Sequence, residues 1–208
     1  MWRREPEQPA TTDVGLLALR LTVGGLLAGH GAQKLFGSFG GYGVEGTAGW
    51  LESMGLKPGK LYAYLAGGGE FGGGVLTALG LLGPLGPIIN FGPMVTAWAT
   101  VHSGKPIWVT SGGGELPLIN LAASTALAFT GPGRYSLDRM LGIKVPRVLP
   151  ALTAASVVAG IVGSLTMRDV PPPEPQESRA GGELQAGEAA EGHGVETELA
   201  PKEHEAGA

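Results

Sequence analysis

The sequence predicts an all-α fold, a polytopic bundle of transmembrane helices followed by a disordered tail. Only 15% of the 208 residues are charged. Apolar segments recur whose lengths approach the roughly 20 residues that a bilayer-spanning helix needs. Acidic residues collect at one end, because residues 168–208 hold 3 Lys or Arg and 10 Asp or Glu while the rest of the chain has a net charge of +3.

Five apolar segments predict four core transmembrane helices and an additional fifth. They cover residues 14–36, 61–82, 85–101, 116–131 and 148–167. A soluble bundle would need amphipathic helices with one polar face, but the second to fifth segments are nearly uncharged all round. The chain also has 38 Gly and no Cys. Small residues let membrane helices pack closely, and the lack of Cys excludes disulfides and thiol catalysis.

The flanking segments predict the orientation. Lys and Arg concentrate in cytoplasmic loops, and the densest basic run lies between Arg134 and Arg147. Placing this run inside also places residues 1–13 inside, as a cytoplasmic N-terminal segment. A short amphipathic helix is expected at 44–54, in the outer loop. Residues 170–208, rich in Pro, Glu, Gly and Ala, predict a disordered acidic tail.

Six ionisable residues fall at or near membrane depth, where each costs at least a few kcal/mol, so they normally face the bundle interior and have partners. They are Arg20, His30, Lys34, Glu70, His102 and Glu115. At about 100° per residue, the three in the first helix share one face. All except Arg20, which lies deeper, are expected to form one polar cluster in the outer half of the bundle.

Glu70 is the centre of this predicted cluster. It lies between two runs of three glycines, so a neighbouring helix can approach and bring a cationic partner, either Lys34 or Arg20. Two readings stay open. The charged groups form an internal ion-pair network that fixes helix register, or they bind a headgroup such as a quinone or relay protons.

Other ligand classes are less favoured. Haem bound between His30 and His102 is disfavoured, because two His on separate helices are weak support for axial ligation. No metal site is predicted. Nucleic acid is not an expected partner, because no basic stripe with interleaved aromatic residues is present. The lipid bilayer is the partner that the composition itself indicates.

Several motifs resemble the DoxX family. They are His30–Gly37, Phe39–Gly41, Gly46–Leu56, Glu70–Gly73, His102, Gly112–Leu118 and Gly131–Asp138. The resemblance implies a four-helix bacterial plasma-membrane domain at 14–141. Because the family takes its name from a subunit linked to a thiosulfate:quinone oxidoreductase or quinol oxidase, it also implies a partner redox complex. Two features depart from the pattern: Leu116 stands where an aromatic residue is expected, and the fifth segment and tail lie outside the family core.

The function predicted from these features is support of a quinone-linked or oxidative-stress redox process. Glu70 would be the central carboxylate, His30 and His102 the candidate proton-carrying groups, and Lys34 and Arg20 charge partners or anion donors. Whether the chain is itself an enzyme is left open. A non-enzymatic membrane scaffold for a redox partner is one alternative, and the absence of Cys favours it. A small transporter is the other, although no internal inverted repeat supports it.

Overall fold

The computed structural model describes residues 9–169, and within that range all regular structure is helical. The α-helices are α1 (Ala10–Phe36), α2 (Gly43–Ser53), α3 (Gly59–Leu79), α4 (Leu85–Ala97), α5 (Glu115–Thr130), α6 (Leu137–Leu141) and α7 (Val148–Thr166). The all-α prediction is therefore confirmed for this part of the chain. The tail predicted at 170–208 and most of the predicted segment 1–13 lie outside the described residues.

Helix α1 begins at Ala10, earlier than the predicted start at residue 14, so part of the predicted N-terminal segment is helical. Pro9 precedes its first turn, and Asp13 lies in that turn, where a carboxylate interacts favourably with the helix dipole. Helix α1 ends at Phe36, and the following Gly37 has a positive φ of 70°, which allows the chain to turn into the loop before α2.

The third predicted segment is not regular α-helix to its end. Helix α4 ends at Ala97, and Trp98–His102 form a π-helical turn. The Thr100 hydroxyl donates a hydrogen bond of 2.8 Å to the carbonyl of Thr96. In a regular α-helix that carbonyl would accept the backbone N–H of Thr100, so the side chain competes with the α-helical pattern.

Glycines hold α1 and α3 together as an antiparallel pair. A Cβ added at Gly24 would meet backbone atoms of Gly74 and Ala78, and one added at Gly31 would meet the backbone of Phe71. Contacts at increasing positions in α1 thus fall at decreasing positions in α3. Because these positions have no side chain, the two backbones approach closely along their length.

Helix α4 packs antiparallel to α3 on another face. Gly73 packs against Asn90, whose side chain is fully buried and donates a hydrogen bond of 3.2 Å to the Thr77 hydroxyl. Farther along, Gly69 packs against Pro93. Helix α3 therefore lies at the centre of the bundle, between α1 and α4.

Helices α5 and α7 complete the bundle. Gly114, just before α5, packs against Trp98 at the end of α4, so α5 returns antiparallel to α4. Helix α7 runs parallel to α4, since Val157 packs on Gly92 and the Ser164 hydroxyl lies 3.4 Å from that of Thr96. Residues beyond α7 reach the loop between α2 and α3, where Asp169 donates a backbone hydrogen bond of 2.9 Å to Gly55.

Among the described residues, two helices are long and apolar enough to cross a membrane, α1 and α7. The other predicted spans form helices α3, α4 and α5, but these do not combine that length with that hydropathy. Helix α3 has 21 residues but is rich in glycine, which lowers its hydropathy, while α4 and α5 are shorter, with 13 and 16 residues.

Candidate functional site

The centre of the candidate site is an ion pair between α1 and α3. The Lys34 ammonium, in the last turn of α1, lies 2.5 Å from the Glu70 carboxylate in the middle of α3. The side chain of Glu70 is 6% exposed and that of Lys34 is 24% exposed. The pairing offsets part of the cost of removing the Glu70 carboxylate from water, since a buried charge without a partner is strongly destabilising. Of the two cations considered as partners for Glu70, the structure pairs it with Lys34.

The glycines around Glu70 explain how the pair forms. Gly67, one turn before Glu70, packs against the Cβ of Lys34 at 3.1 Å and against the Leu35 side chain at 2.9 Å, both measured from the position of an added Cβ. Gly74, one turn after it, packs against the backbone of α1. Side chains at these two positions would push α1 away, and the lysine would no longer reach the carboxylate.

A cavity of about 510 Å³ reaches Lys34 from the loop side. Its lining combines hydrogen-bonding groups with two aromatic rings, from Gln33, Lys34, Gly40, Gly41, Tyr42, Gly46, Thr47 and Trp50. Gly41 packs directly on the backbone of Gln33, which keeps the loop close to the helix end. The arrangement suits a planar, partly polar ligand that accepts hydrogen bonds.

His30, His102 and Glu115 have other partners. His30 is exposed, and its Nδ1 lies 3.1 Å from the side-chain oxygen of Gln33. His102 Nδ1 donates a hydrogen bond of 2.7 Å to the carbonyl of Gly112. The carboxylate of Glu115 accepts the backbone N–H of Val109 at 3.0 Å. The last two bonds hold the loop between α4 and α5.

Arg20 lies toward the opposite end of the bundle from Lys34. It is 2% exposed, and its two terminal nitrogens donate to the carbonyls of Ala78, at 3.2 Å, and Tyr135, at 2.6 Å. Its Nε has no hydrogen-bond partner in the described part of the chain. The guanidinium thus joins α1 to the end of α3 and to the segment before α6.

Two buried carboxylates at this end are absent from the sequence-based candidates. Asp13 is 4% exposed and accepts the backbone N–H of Arg134 at 2.7 Å. Asp138 is 8% exposed and accepts the backbone N–H groups of Leu82, at 2.8 Å, and Gly83, at 2.5 Å. Asp13 directly precedes the first apolar segment, whereas Asp138 lies between the fourth and the fifth. The partners of Asp138 are backbone groups far away in the chain, and those of Asp13 are the backbone N–H and the guanidinium of Arg134, 3.7 Å away. The backbone bonds are ones that no side-chain pattern reveals.

Within residues 9–169, Lys34 and Glu70 are the two predicted residues that are in direct polar contact with each other. The other four, Arg20, His30, His102 and Glu115, form their polar contacts with other residues. In the same range, no three His, Asp or Glu residues come together in a group that could hold a metal ion.

A second ion pair on α3 provides an internal contrast. Lys60 lies 2.7 Å from Glu45 of α2, and both side chains are largely exposed, by 63% and 77%. The hydrogen bond that Lys60 donates to Glu45, together with the negative charge of Glu45, raises the pKa of Lys60 above the ordinary lysine value.

Comparison with known families gives a match over residues 15–103 to the model of the DoxX family. The chain carries a DoxX domain. The match confirms the resemblance over α1 to α4, whereas residues 104–141 of the expected domain lie beyond it. No curated protein and no solved structure matches the chain.

The match to the DoxX family supports the membrane-protein character that the apolar helices indicate. The matched region contains both partners of the buried ion pair, and its last residues are the π turn that carries His102. Helix α7, the most apolar of the described helices by composition, lies outside the DoxX match.

Proposed function

We propose that the chain is a multi-pass protein of the bacterial plasma membrane that binds a quinone headgroup beside the Lys34–Glu70 pair and so supports a partner redox protein. The observation that carries the proposal is an ion pair buried between two helices of a DoxX domain, with a cavity of about 510 Å³ reaching its lysine. Ionisable residues inside a membrane are functional by default, because burying them is costly.

The packing directions support the multi-pass arrangement. Helix α1 runs one way and α3 the other, α4 returns with its π turn, α5 runs back and α7 lies parallel to α4. The start of α1 and the basic segment 131–147 then lie at the same end of the bundle. The positive charge of that segment favours the cytoplasm for this end.

The cavity beside Lys34 provides the chemistry that a quinone headgroup needs. A quinone carbonyl accepts hydrogen bonds, and the Lys34 ammonium has three donors, of which Glu70 engages one. The amide of Gln33 is a further polar group in the lining, while Tyr42 and Trp50 provide aromatic faces for the flat ring.

Proton exchange follows from the same geometry. Reduction of a quinone to a quinol consumes two electrons and two protons. In this proposal a partner redox protein provides the electrons, and the Lys34–Glu70 pair exchanges protons with the headgroup. Glu70 is the inner member of the pair and Lys34 the member that lines the cavity. The Lys34 ammonium would donate one proton to a headgroup in the cavity, water would supply the second proton and reprotonate Lys34, and the Glu70 carboxylate would stabilise the charged lysine.

The experiment is to purify the chain in mild detergent, extract bound cofactors and record the visible spectrum. The double variant Lys34→Met/Glu70→Gln removes both charges and keeps the side-chain volumes, which limits damage to the fold because no unpaired buried charge remains. We expect quinone retention per chain to fall roughly ten-fold, the equivalent of one lost charge-assisted hydrogen bond.

The matched control is Lys60→Met/Glu45→Gln, which removes the exposed pair on the same helix and should keep its quinone. Equal retention in both double variants would refute binding at the buried pair. An unaltered protein free of quinone, together with capture of a defined oxidoreductase, would replace this proposal with the scaffold function. Retained haem would instead place the redox group elsewhere in the bundle.

A further inference from the structure

The end of the bundle opposite Lys34 contains a second polar cavity, of about 540 Å³, beneath the segment that joins α5 to α7. Two cations line it, Arg139 of α6 and Lys144, and both are exposed. Within residues 9–169, neither has a carboxylate partner. The quinone proposal makes no use of this cavity.

We propose that this cavity binds the phosphate headgroup of an anionic phospholipid, with the acyl chains lying along α7. The inference uses the membrane placement given above and is independent of quinone binding. Basic pockets at the cytoplasmic ends of membrane helices are suited to such headgroups, because the ligand is anionic and the surrounding leaflet supplies it at high local concentration.

The buried guanidinium of Arg20 strengthens the positive field at this cavity. Its partners are two backbone carbonyls, and within the described residues no carboxylate neutralises it. A Cβ added at Gly80 would meet both Arg20 and, at 2.7 Å, the Cβ of Ser136, which lines the cavity. The charge of Arg20 therefore lies close behind the cavity wall, where low dielectric lets its field extend farther than in water.

The one carboxylate in the lining is already occupied. Asp138 is 8% exposed, and its two oxygens accept the backbone N–H groups of Leu82 and Gly83. It fixes the cavity wall, because these bonds tie α6 to the loop between α3 and α4. A second carboxylate, that of Asp13, lies behind the wall, 3.2 Å from a Cβ added at Gly133, and it is paired with Arg134. With both carboxylates counted against Arg20, Arg134, Arg139 and Lys144, the net charge at the cavity is positive.

An apolar track for acyl chains begins next to the cavity. Val145 lines the cavity, and α7 begins at Val148. Val148, Leu149 and Leu152 in its first turns are 58%, 41% and 58% exposed. A free phosphate would use the cations alone, whereas a phospholipid would use both the cations and this apolar face.

The test compares full-length protein in nanodiscs of phosphatidylcholine with and without phosphatidylglycerol, by native mass spectrometry and thermal unfolding. We expect phosphatidylglycerol to be retained selectively and to raise the Tm. In Arg139→Gln/Lys144→Gln, apparent affinity for phosphatidylglycerol should fall roughly 25-fold, about five-fold for each cation removed near the membrane surface. Lys57→Gln/Lys105→Gln removes the same charge away from this cavity and should keep the affinity of the unaltered protein.

Three results would overturn the proposal. One is that the unaltered protein retains the two lipids equally, a measurement that needs no variant. Another is that both double variants lose phosphatidylglycerol to the same extent, since the effect would then reflect net charge alone. The third is that inorganic phosphate in phosphatidylcholine discs raises the Tm as much as phosphatidylglycerol does, because the ligand would then be a free anion. Quinone retention, measured on the same samples, reports separately on the Lys34–Glu70 site.

Discussion

Helices α1 and α7 are the two described helices that are long and apolar enough to cross a membrane, yet they are held in different ways. In the most apolar 18-residue window of each, 28% of α1 is buried inside the structure, against 6% of α7. Helix α1 contacts α3 through backbone at glycine positions and contributes the buried charges of Asp13 and Arg20 and the partly buried charge of Lys34. Helix α7 has no charged residue and leaves a cavity of about 470 Å³ between itself and α3 and α4.

The contrast shows that hydropathy identifies a membrane helix but does not indicate which contacts hold the helix in its position. The position of α1 is specified by groups that are costly to misplace, namely Arg20, Lys34 and the glycines that face α3. Van der Waals packing and a few polar contacts along one side hold α7. Because lipid is as apolar as leucine, an apolar surface alone gives α7 little reason to prefer one neighbour to another.

Breaking the ion pair of α1 should have the largest effect. In Glu70→Gln the Lys34 ammonium loses its carboxylate partner between two helices, and we expect the free energy of unfolding to fall by about 3 kcal/mol. Unfolding in mixed micelles of increasing SDS content, followed by circular dichroism, measures this change.

The exposed pair on α3 is the control for that variant. Glu45→Gln removes the partner of Lys60 in full contact with solvent, where screening leaves little net attraction, so its unfolding curve should overlay that of the unaltered protein. If Glu70→Gln unfolded at the same SDS fraction as Glu45→Gln, the buried pair would make no contribution to the free energy of unfolding.

Substituting one glycine in each helix sharpens the comparison. A Cβ at Gly31 of α1 would collide with the Phe71 backbone, whereas one at Gly160 of α7 would meet nothing within 4 Å. Gly31→Ala should therefore destabilise the protein by about 2 kcal/mol through overpacking. Gly160→Ala should stabilise it by about 0.5 kcal/mol through helix propensity.

The same SDS titration measures both alanine variants. Gly29→Ala is a control within α1 itself, because an added Cβ there also meets nothing within 4 Å. It should behave like the variant in α7. If Gly29→Ala destabilised the protein as much as Gly31→Ala, alanine would be unfavourable at any glycine position of α1. The close approach of Gly31 to α3 would then not explain the result.

More of the structure of α1 than of the rest of the site could be predicted from the sequence. Of the three ionisable groups expected on the inward face of α1, Arg20 is buried and Lys34 is partly buried, whereas His30 is exposed. The glycines around Glu70 indicated a close cationic partner. The choice between Lys34 and Arg20 needed the antiparallel register of α1 and α3. Arg20 donates hydrogen bonds to the carbonyls of Ala78 and Tyr135. Every residue type has a backbone carbonyl, so the identity of these two residues does not reveal the bonds.

The same limit applies to the outer residues and to the π turn. His102 and Glu115 close the loop between α4 and α5 through Gly112 and Val109, so their bonds are local backbone bonds. The sequence analysis placed His102 and Glu115 near Glu70 by counting residues along each helix. Such counting assumes straight helices whose ends lie at the same level in the membrane. The hydroxyl of Thr100, which competes for the carbonyl of Thr96, is a feature of local geometry that apolar periodicity does not record.

The smallest of the expected losses of stability concerns the end of α7. Arg168 donates a hydrogen bond of 2.6 Å from its Nε to the carbonyl of Met54, in the loop between α2 and α3. Arg168→Ala should lower the free energy of unfolding by about 1 kcal/mol, near the net value of one protein hydrogen bond. Hydrogen–deuterium exchange should accelerate in the last turns of α7 and stay unchanged in α1, because α1 is fixed by its own contacts with α3. Faster exchange in both helices would mean that α7 is part of the same cooperative unit as α1, and the difference drawn between them would be one of composition alone.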